Sequence, residues 1–241
     1  MIQFSVFLNS RGRPQLLENA INSIYNNCSY ANSIEMLVRV DRDDKETIHT
    51  LNQQEHPNLN YFVGDRPNNL QAELNQLAKQ SVGDWLFVFN DDVQMLTQNW
   101  DIVALEAVAK YKLENGIKDN ILLIKTKDDS ADKCGPYSSF PIMGRQAFDT
   151  LGFFMYENFP GLGGDTTIDR VFSGINRTVD CDIQLNHILH ATIHAVIHCD
   201  ETARHMRENS ARNFIDPFTF DVSPEIEKLK KLLPKRGAYS G

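Results

Sequence analysis

Short apolar runs rich in β-branched and aromatic residues alternate along this chain with longer segments whose apolar positions recur at helical spacing. That alternation is the pattern of βαβ units around a mainly parallel central sheet flanked by helices, an α/β fold. Phe4 to Asn9 (FSVFLN) predicts a first strand. Beyond Ser10-Arg11-Gly12-Arg13-Pro14, the residues Leu16, Leu17, Ala20, Ile21 and Ile24 fall on one helical face, with Pro14 suited to the first turn. Glu35 to Val40 predicts a second strand running into Asp41-Arg42-Asp43-Asp44, and Leu59 to Val63 a short third one ahead of Gly64-Asp65-Arg66-Pro67. Leu70, Leu74, Leu77 and Ala78 share a face across Leu70 to Lys79. Asp84 to Phe89 (DWLFVF) is nearly all apolar, as a strand covered on both faces must be. The second half is less regular. Ile121 to Lys125 predicts a strand, Gly144 to Leu151 a short helix stopped by Gly152, and Thr166 to Phe172 another helix. Residues 128–140 are polar and loop-like, Ala191 to His198 has strand composition, and Ser223-Pro224-Glu225 opens a last helix.

Composition narrows the class without changing that picture. At 241 residues, 41% hydrophobic and 23% charged, the chain is long enough to bury a sizeable core and is ordinary for a globular protein. No apolar run approaches the roughly 18 residues that span a bilayer, and Met1 to Asn9 lacks the basic stretch and long apolar core of a signal peptide, so the expected location is the cytoplasm. The net charge of -8 argues against a broad electrostatic grip on nucleic acid. An anionic ligand would instead need a local solution such as a metal ion. Cys28, Cys134, Cys181 and Cys199 form no Cys-x-x-Cys unit, and reduced thiols are the simpler reading.

Chemistry gathers at the strand ends, where ligands of open parallel sheets bind. The first strand yields Asn9, Ser10, Arg11 and Arg13, the second Asp41 to Asp44, and the fourth Asn90, Asp91 and Asp92. Carboxylates beside a few basic groups suit a divalent cation together with a phosphorylated ligand, since hard cations take oxygen ligands and bridge to phosphate. The competing reading is that such acidic residues cap helices or shape turns.

The ordered set FSVFLNSRGRP, VRVDRDD and DRPNNLQAELNQLAKQSVGDWLFVFNDDV resembles the nucleotide-sugar-binding half of GT-A fold glycosyltransferases, especially family 2. PIMGRQAFDTLGFF followed by GLGGDTTIDRVF is similar to their acceptor side. The resemblance covers about residues 2–200 and implies one domain over 1–220, with donor and acceptor halves at 1–95 and 96–220, before a basic helical tail at 221–241. It also implies sugar transfer with inversion from a nucleoside diphosphate sugar, UDP- or GDP-linked, to a glycan or other acceptor hydroxyl, assisted by Mn²⁺ or Mg²⁺. By the same resemblance Asn90-Asp91-Asp92 stands at the Asp-x-Asp position, so Asp92 would hold the metal, while Asn90, a neutral departure, would contact the ribose or a metal-bound water. Asp41 matches the base-reading Asp, Ser10, Arg11 and Arg13 lie by the base and phosphates, and Arg66 and Asn69 fall in the segment that lines the donor. Asp165 takes the place of the catalytic base, with Asp169 as the other candidate because Gly164 stands where the family has an acidic partner. The Gly163-Gly164 pair would let backbone approach a sugar closely. Against this, Asp165 could simply be a helix N-cap.

His187, His190, His194, His198 and His205 lie within 19 residues. On a helix His194 and His198 would share a zinc-binding face, but the β-branched neighbours favour a strand, at whose end His198 resembles the late metal-binding His of GT-A enzymes, with His205 in reserve. Phe153, Phe154, Tyr156 and Phe159 are candidates for stacking on an acceptor ring or for core packing. The last helix, with Ile226, Leu229 and Leu233 on one side and Lys228, Lys230, Lys231, Lys235 and Arg236 nearby, suits either an anionic membrane surface or its own domain. Competing functions are a sugar nucleotidyltransferase, disfavoured by the absence of a Gly-rich loop with a nearby lysine, a non-catalytic nucleotide- or glycan-binding module, and a zinc hydrolase.

Overall fold

The computed structural model describes residues 1–128, 137–159, 163–188 and 215–234. Its centre is β1 (Phe4–Ser10), whose alternating side chains serve two cores at once. Phe4, Val6 and Leu8 point into one apolar cluster and Phe7 into the other. Parallel to β1 run β2 (Ile34–Asp41) on one side and β4 (Trp85–Val88) on the other, with β3 (Leu59–Gly64) beyond β2. These strands share a direction, so the turns after β1, β2 and β4 open on one edge and gather their polar residues there.

Between them, α1 (Pro14–Asn26) begins at the expected proline and buries Leu17, Ala20, Ile21 and Ile24. Gly12, at φ +65°, supplies the left-handed turn that lets the chain leave β1 and enter this helix. α2 (Lys45–Asn52) is capped by Asp44, whose carboxylate accepts from Thr47 N, so for this residue the capping reading holds. α3 (Leu70–Gln80) is capped by Asn69.

The sheet continues as β5 (Val93–Met95), β6 (Leu123–Asp128), β7 (Ile142–Gly144) and β8 (Thr178–His187), giving the spatial order β3-β2-β1-β4-β7-β6-β8-β5. The sheet is mixed. Four of its seven pairings are parallel, and three are antiparallel because β7 runs against both β4 and β6, and β5 against β8. One face packs on α1, α2 and α4 (Trp100–Asn115). The other packs on α3, α5 (Arg145–Leu151), α6 (Gly164–Ser173) and α7 (Ser223–Lys230).

Two open alternatives settle in this frame and one expectation changes. Phe154, Tyr156 and Phe159 are buried in the second core, which is the packing alternative, and Phe153, partly buried, packs on it. The last helix docks on its own fold: Leu229 is fully buried, Ile226 lies over Gly174, and Lys228 donates to the Leu151 carbonyl at 2.9 Å. Its apolar side is therefore covered by α5 and α6. The space beside Gly163 and Gly164 is also taken, because a Cβ at Gly163 would meet Phe159 and Pro217 at 3.0 and 3.2 Å, and one at Gly164 would meet Met155 and Gln71. Among the described residues, no helix is long and apolar enough to cross a membrane.

Candidate active site

At the end of β4 the apolar strand delivers two carboxylates into a corner already lined by β1. Asp91 is buried and takes Ser10 Oγ at 2.8 Å on one oxygen and the Arg13 guanidinium at 2.9 Å on the other. Burial pushes its carboxyl up, to about 6, against the pull of Arg13, with the Asp92 charge adding to the rise and Ser10 opposing it. Arg13 also lies 3.6 Å from Asp92 Oδ2, so one guanidinium spans both acids.

Asp92 Oδ1 is buried and, among the described residues, has no hydrogen-bond donor. His187 Nε2 lies 3.5 Å from this oxygen. His187 arrives there because β8 lies antiparallel beside β5, with His187 opposite Val93 and Ile188 N bonded to the Asp92 carbonyl at 2.9 Å. Its ring stands edge-on to Phe140, 5.1 Å between centroids. An unsatisfied carboxylate oxygen facing an imidazole nitrogen is a donor pair fit for a divalent cation. Among the described residues no group of three His, Cys, Asp or Glu side chains converges on one ion, so further ligands would have to come from elsewhere. His198 and His205 lie outside the described residues.

Around the same β1 turn, Arg11 donates to Asp41 at 2.8 Å and to Asp43 through both terminal nitrogens. The guanidinium holds the exposed Asp43 carboxyl down at about 2. Arg39 donates to the other Asp41 oxygen at 3.1 Å, so both oxygens of this buried acid are fixed in direction. Other expected donor residues sit differently. Arg66 and Asn90 are exposed, and Asn90 contributes a turn carbonyl to Val93 N at 3.4 Å. Asn69 uses its side chain structurally, accepting from Gln71 N and Ala72 N and donating to the Glu157 carbonyl at 2.6 Å.

The second carboxylate cluster forms where α6 meets β6. Asp165 lies in the first turn of α6, whose cap is Gly163 at φ +100° and not Asp165 itself. Its Oδ1 accepts from Thr166 N at 2.8 Å. Burial, with Asp128 and Asp169 as charged neighbours, pushes the Asp165 carboxyl up to about 6. Asp169 is buried one turn later, accepts from Ser173 Oγ at 3.0 Å, and pairs with Lys125 of β6 at 3.2 Å. A carboxyl titrating near neutrality is suited to accepting a proton, which favours Asp165 over the ion-paired Asp169.

The segment that leads into α6 is held by Asn75, fully buried on α3. Its Oδ1 accepts from Phe154 N and Met155 N at 2.8 and 2.9 Å, while its Nδ2 donates to the Met155 carbonyl and to Glu157 Oε1. The sequence places His187 in the histidine cluster but favours His198 as the metal ligand, and it singles out none of Lys125, Asp128 and Asn75. For His187 a signal existed: Val179, Cys181, Ile183, Leu185 and His187 alternate strictly as the buried side of β8.

Residues 5–168 match the family model described as Glycosyl transferase family 2. The O-antigen biosynthesis protein RfbC of Myxococcus xanthus is 29% identical over 96 residues, 40% of this chain, and the chain spans 8% of that protein's length. Among solved structures, the mannosyltransferase PcManGT from Pyrobaculum calidifontis, in complex with GDP-Man and Mn²⁺, superposes with a TM-score of 0.63 at 13% identity, covering 94% of this chain and 68% of that one. TarS 1-349 of S. aureus in complex with UDP superposes with a TM-score of 0.60 at 13% identity, covering 99% and 73%. At these identities the structures speak to the fold alone.

Proposed function

Because the chain belongs to glycosyl transferase family 2 and shares its fold with solved glycosyltransferases, we propose that it transfers a sugar from a nucleoside diphosphate sugar to an acceptor hydroxyl, with inversion and with a divalent cation. The observation that carries this reading is the buried corner where Asp91 and Asp92 meet Ser10, Arg13 and His187. Neighbours of the same fold were solved with GDP-Man and Mn²⁺ and with UDP, which supports that class of donor.

In this reading the charges of the corner divide the work. Asp92 and His187 would hold Mn²⁺ or Mg²⁺, whose chemistry when bound is to offset the negative charge of the departing diphosphate. Asp91 holds Arg13 in place from one side, so the guanidinium is fixed at the end of β1 where the phosphates lie and needs little reorganisation as charge develops. Asp41, oriented by Arg11 and Arg39, presents a carboxylate edge to the nucleobase. On the acceptor side Asp165 removes the hydroxyl proton as oxygen attacks the anomeric carbon, a role worth about 10²- to 10⁴-fold in rate.

Calorimetric titration with UDP and GDP, each with and without Mn²⁺, tests the donor half. Micromolar binding of one nucleotide that disappears with EDTA is expected. Absence of binding to either nucleotide with Mn²⁺ present would overturn the reading.

A further inference from the structure

We propose that the Lys125–Asp169 ion pair is a positioning element that sets the pH at which Asp165 can take the acceptor's proton. This rests on Asp165 being the base. The pair is not part of the donor corner: Lys125 comes from β6, three residues before Asp128, and Asp169 is in the body of α6, one turn beyond Asp165.

The geometry gives the pair its leverage. Residues four apart on a helix have Cβ atoms about 5–6 Å apart, so the Asp169 carboxylate stands over the same helix face as that of Asp165. Asp169 is 4% exposed, and its Oδ1 is occupied by Ser173 Oγ, so it cannot turn away to water. Its other oxygen is 3.2 Å from Lys125 Nζ, a half-buried ammonium with 18% of its side chain exposed. Among the described residues, the charged groups facing Asp165 are Asp128 from β6 and Asp169 from its own helix, while α3 brings the uncharged Gln71 to the start of α6. Both facing charges are negative and disfavour a second anion between them. Lys125 pairs with Asp169 at 3.2 Å and so weakens the negative charge that Asp169 presents to Asp165. Without Lys125 the first turn of α6 would hold its proton to higher pH, and with Lys125 but no Asp169 it would release it earlier.

This makes a signed and compensating prediction that structural damage does not mimic. At these separations a full charge in a partly buried site moves a carboxyl midpoint by about 0.5–1 pH unit. Lys125→Met should raise the acidic midpoint of the transfer rate by that amount, Asp169→Asn should lower it by a similar amount, and the double variant should return close to the wild type. Lys125→Arg should restore the wild-type profile. An activity-independent arm uses thermal unfolding. In each background the pH at which the melting-temperature effect of Asp165→Asn levels off should move in the same direction as the rate profile. If Asp165→Asn leaves transfer intact, the base assignment fails while the unfolding arm still tests the pair. If Asp165→Asn abolishes transfer and Lys125→Met and Asp169→Asn move neither midpoint, or move them in the same direction, the proposal is overturned.

Discussion

Replacing Asp165 by Asn separates what this carboxylate does for catalysis from what it costs the fold. The amide keeps an Oδ1 acceptor for Thr166 N, now at 2.8 Å, and removes only the charge. The carboxyl stands at about 6 in the folded chain against 3.8 unperturbed, first because of burial and then because of Asp128 and Asp169. A native value above the unfolded one means that below about pH 4 both states hold the proton and the group costs nothing. As pH rises toward 6 the unfolded state releases its proton first, and stability falls; above 6 the full cost is present. A displacement of about two pH units corresponds to about 3 kcal/mol, which solvent screening of a half-buried group reduces to about 1–2 kcal/mol. For a chain of 241 residues, Asp165→Asn should then raise the melting temperature by about 2–6 °C at pH 8 and leave it nearly unchanged at about pH 3. The same variant should lose about 10²- to 10⁴-fold in transfer, and the wild-type rate should climb through pH 6 to a plateau. Circular dichroism melts of the two proteins across that range, beside a donor-consumption assay, read both quantities. A melting-temperature difference that is independent of pH, or that is negative at pH 8, would refute the electrostatic reasoning.

Other expectations concern the donor corner and the docked helix. Asp92→Ala and His187→Ala should each remove the Mn²⁺-dependent part of nucleotide binding in calorimetry while leaving the metal-free affinity alone; unchanged Mn²⁺ dependence in both would remove the cation from this corner. Arg13→Ala leaves Asp91 buried without its counterion and should cost about 3–5 kcal/mol in urea unfolding, most of it recovered when Asp91→Asn is added. A cost below about 1 kcal/mol would show that the pair is solvated. Leu229→Ala should cost about 2–4 kcal/mol because the side chain is fully enclosed by α5 and α6.

Much of the first half of the fold is legible because β1, β2 and β4 are buried and appear as apolar runs, while the partly exposed β3 shows only as a short run ahead of Gly64; Pro14 marks the start of α1, and in the second half the Gly152 stop marks the end of α5. β5 and β7 escape because three residues carry no period, and with β7 goes the reversal that makes the sheet mixed. α4 is missed for a different reason: apolar residues are spread around it, so no single face stands out. At the site, Asp91, Asp92, Arg13 and Asp165 are adjacent in sequence to recognisable strand and helix ends. Lys125 closes a predicted strand and His187 sits in the histidine cluster, yet neither reads as a site residue, since their relevance comes from which strand lies beside which. Asn69 shows the converse. Its position invites a ligand role, yet the backbone groups at the start of α3 use its whole side chain.

The pairing of β5 with β8 also fixes an order of assembly. Asp92 lies next to Val93, whose partner His187 is synthesised 94 positions later. At roughly 5–20 residues per second, the chain would wait about 5–20 s between making one side of this corner and making the other. During that interval the Ser10, Arg13 and Asp91 contacts can form, because β1 and β4 pair early and in parallel. The corner that faces Asp92 with an imidazole cannot form until β8 has emerged and closed against β5. Under the proposed function, ion capture at this place would therefore mark a finished sheet, and a ribosome-bound chain stalled before residue 187 would hold β1 to β4 without that capacity.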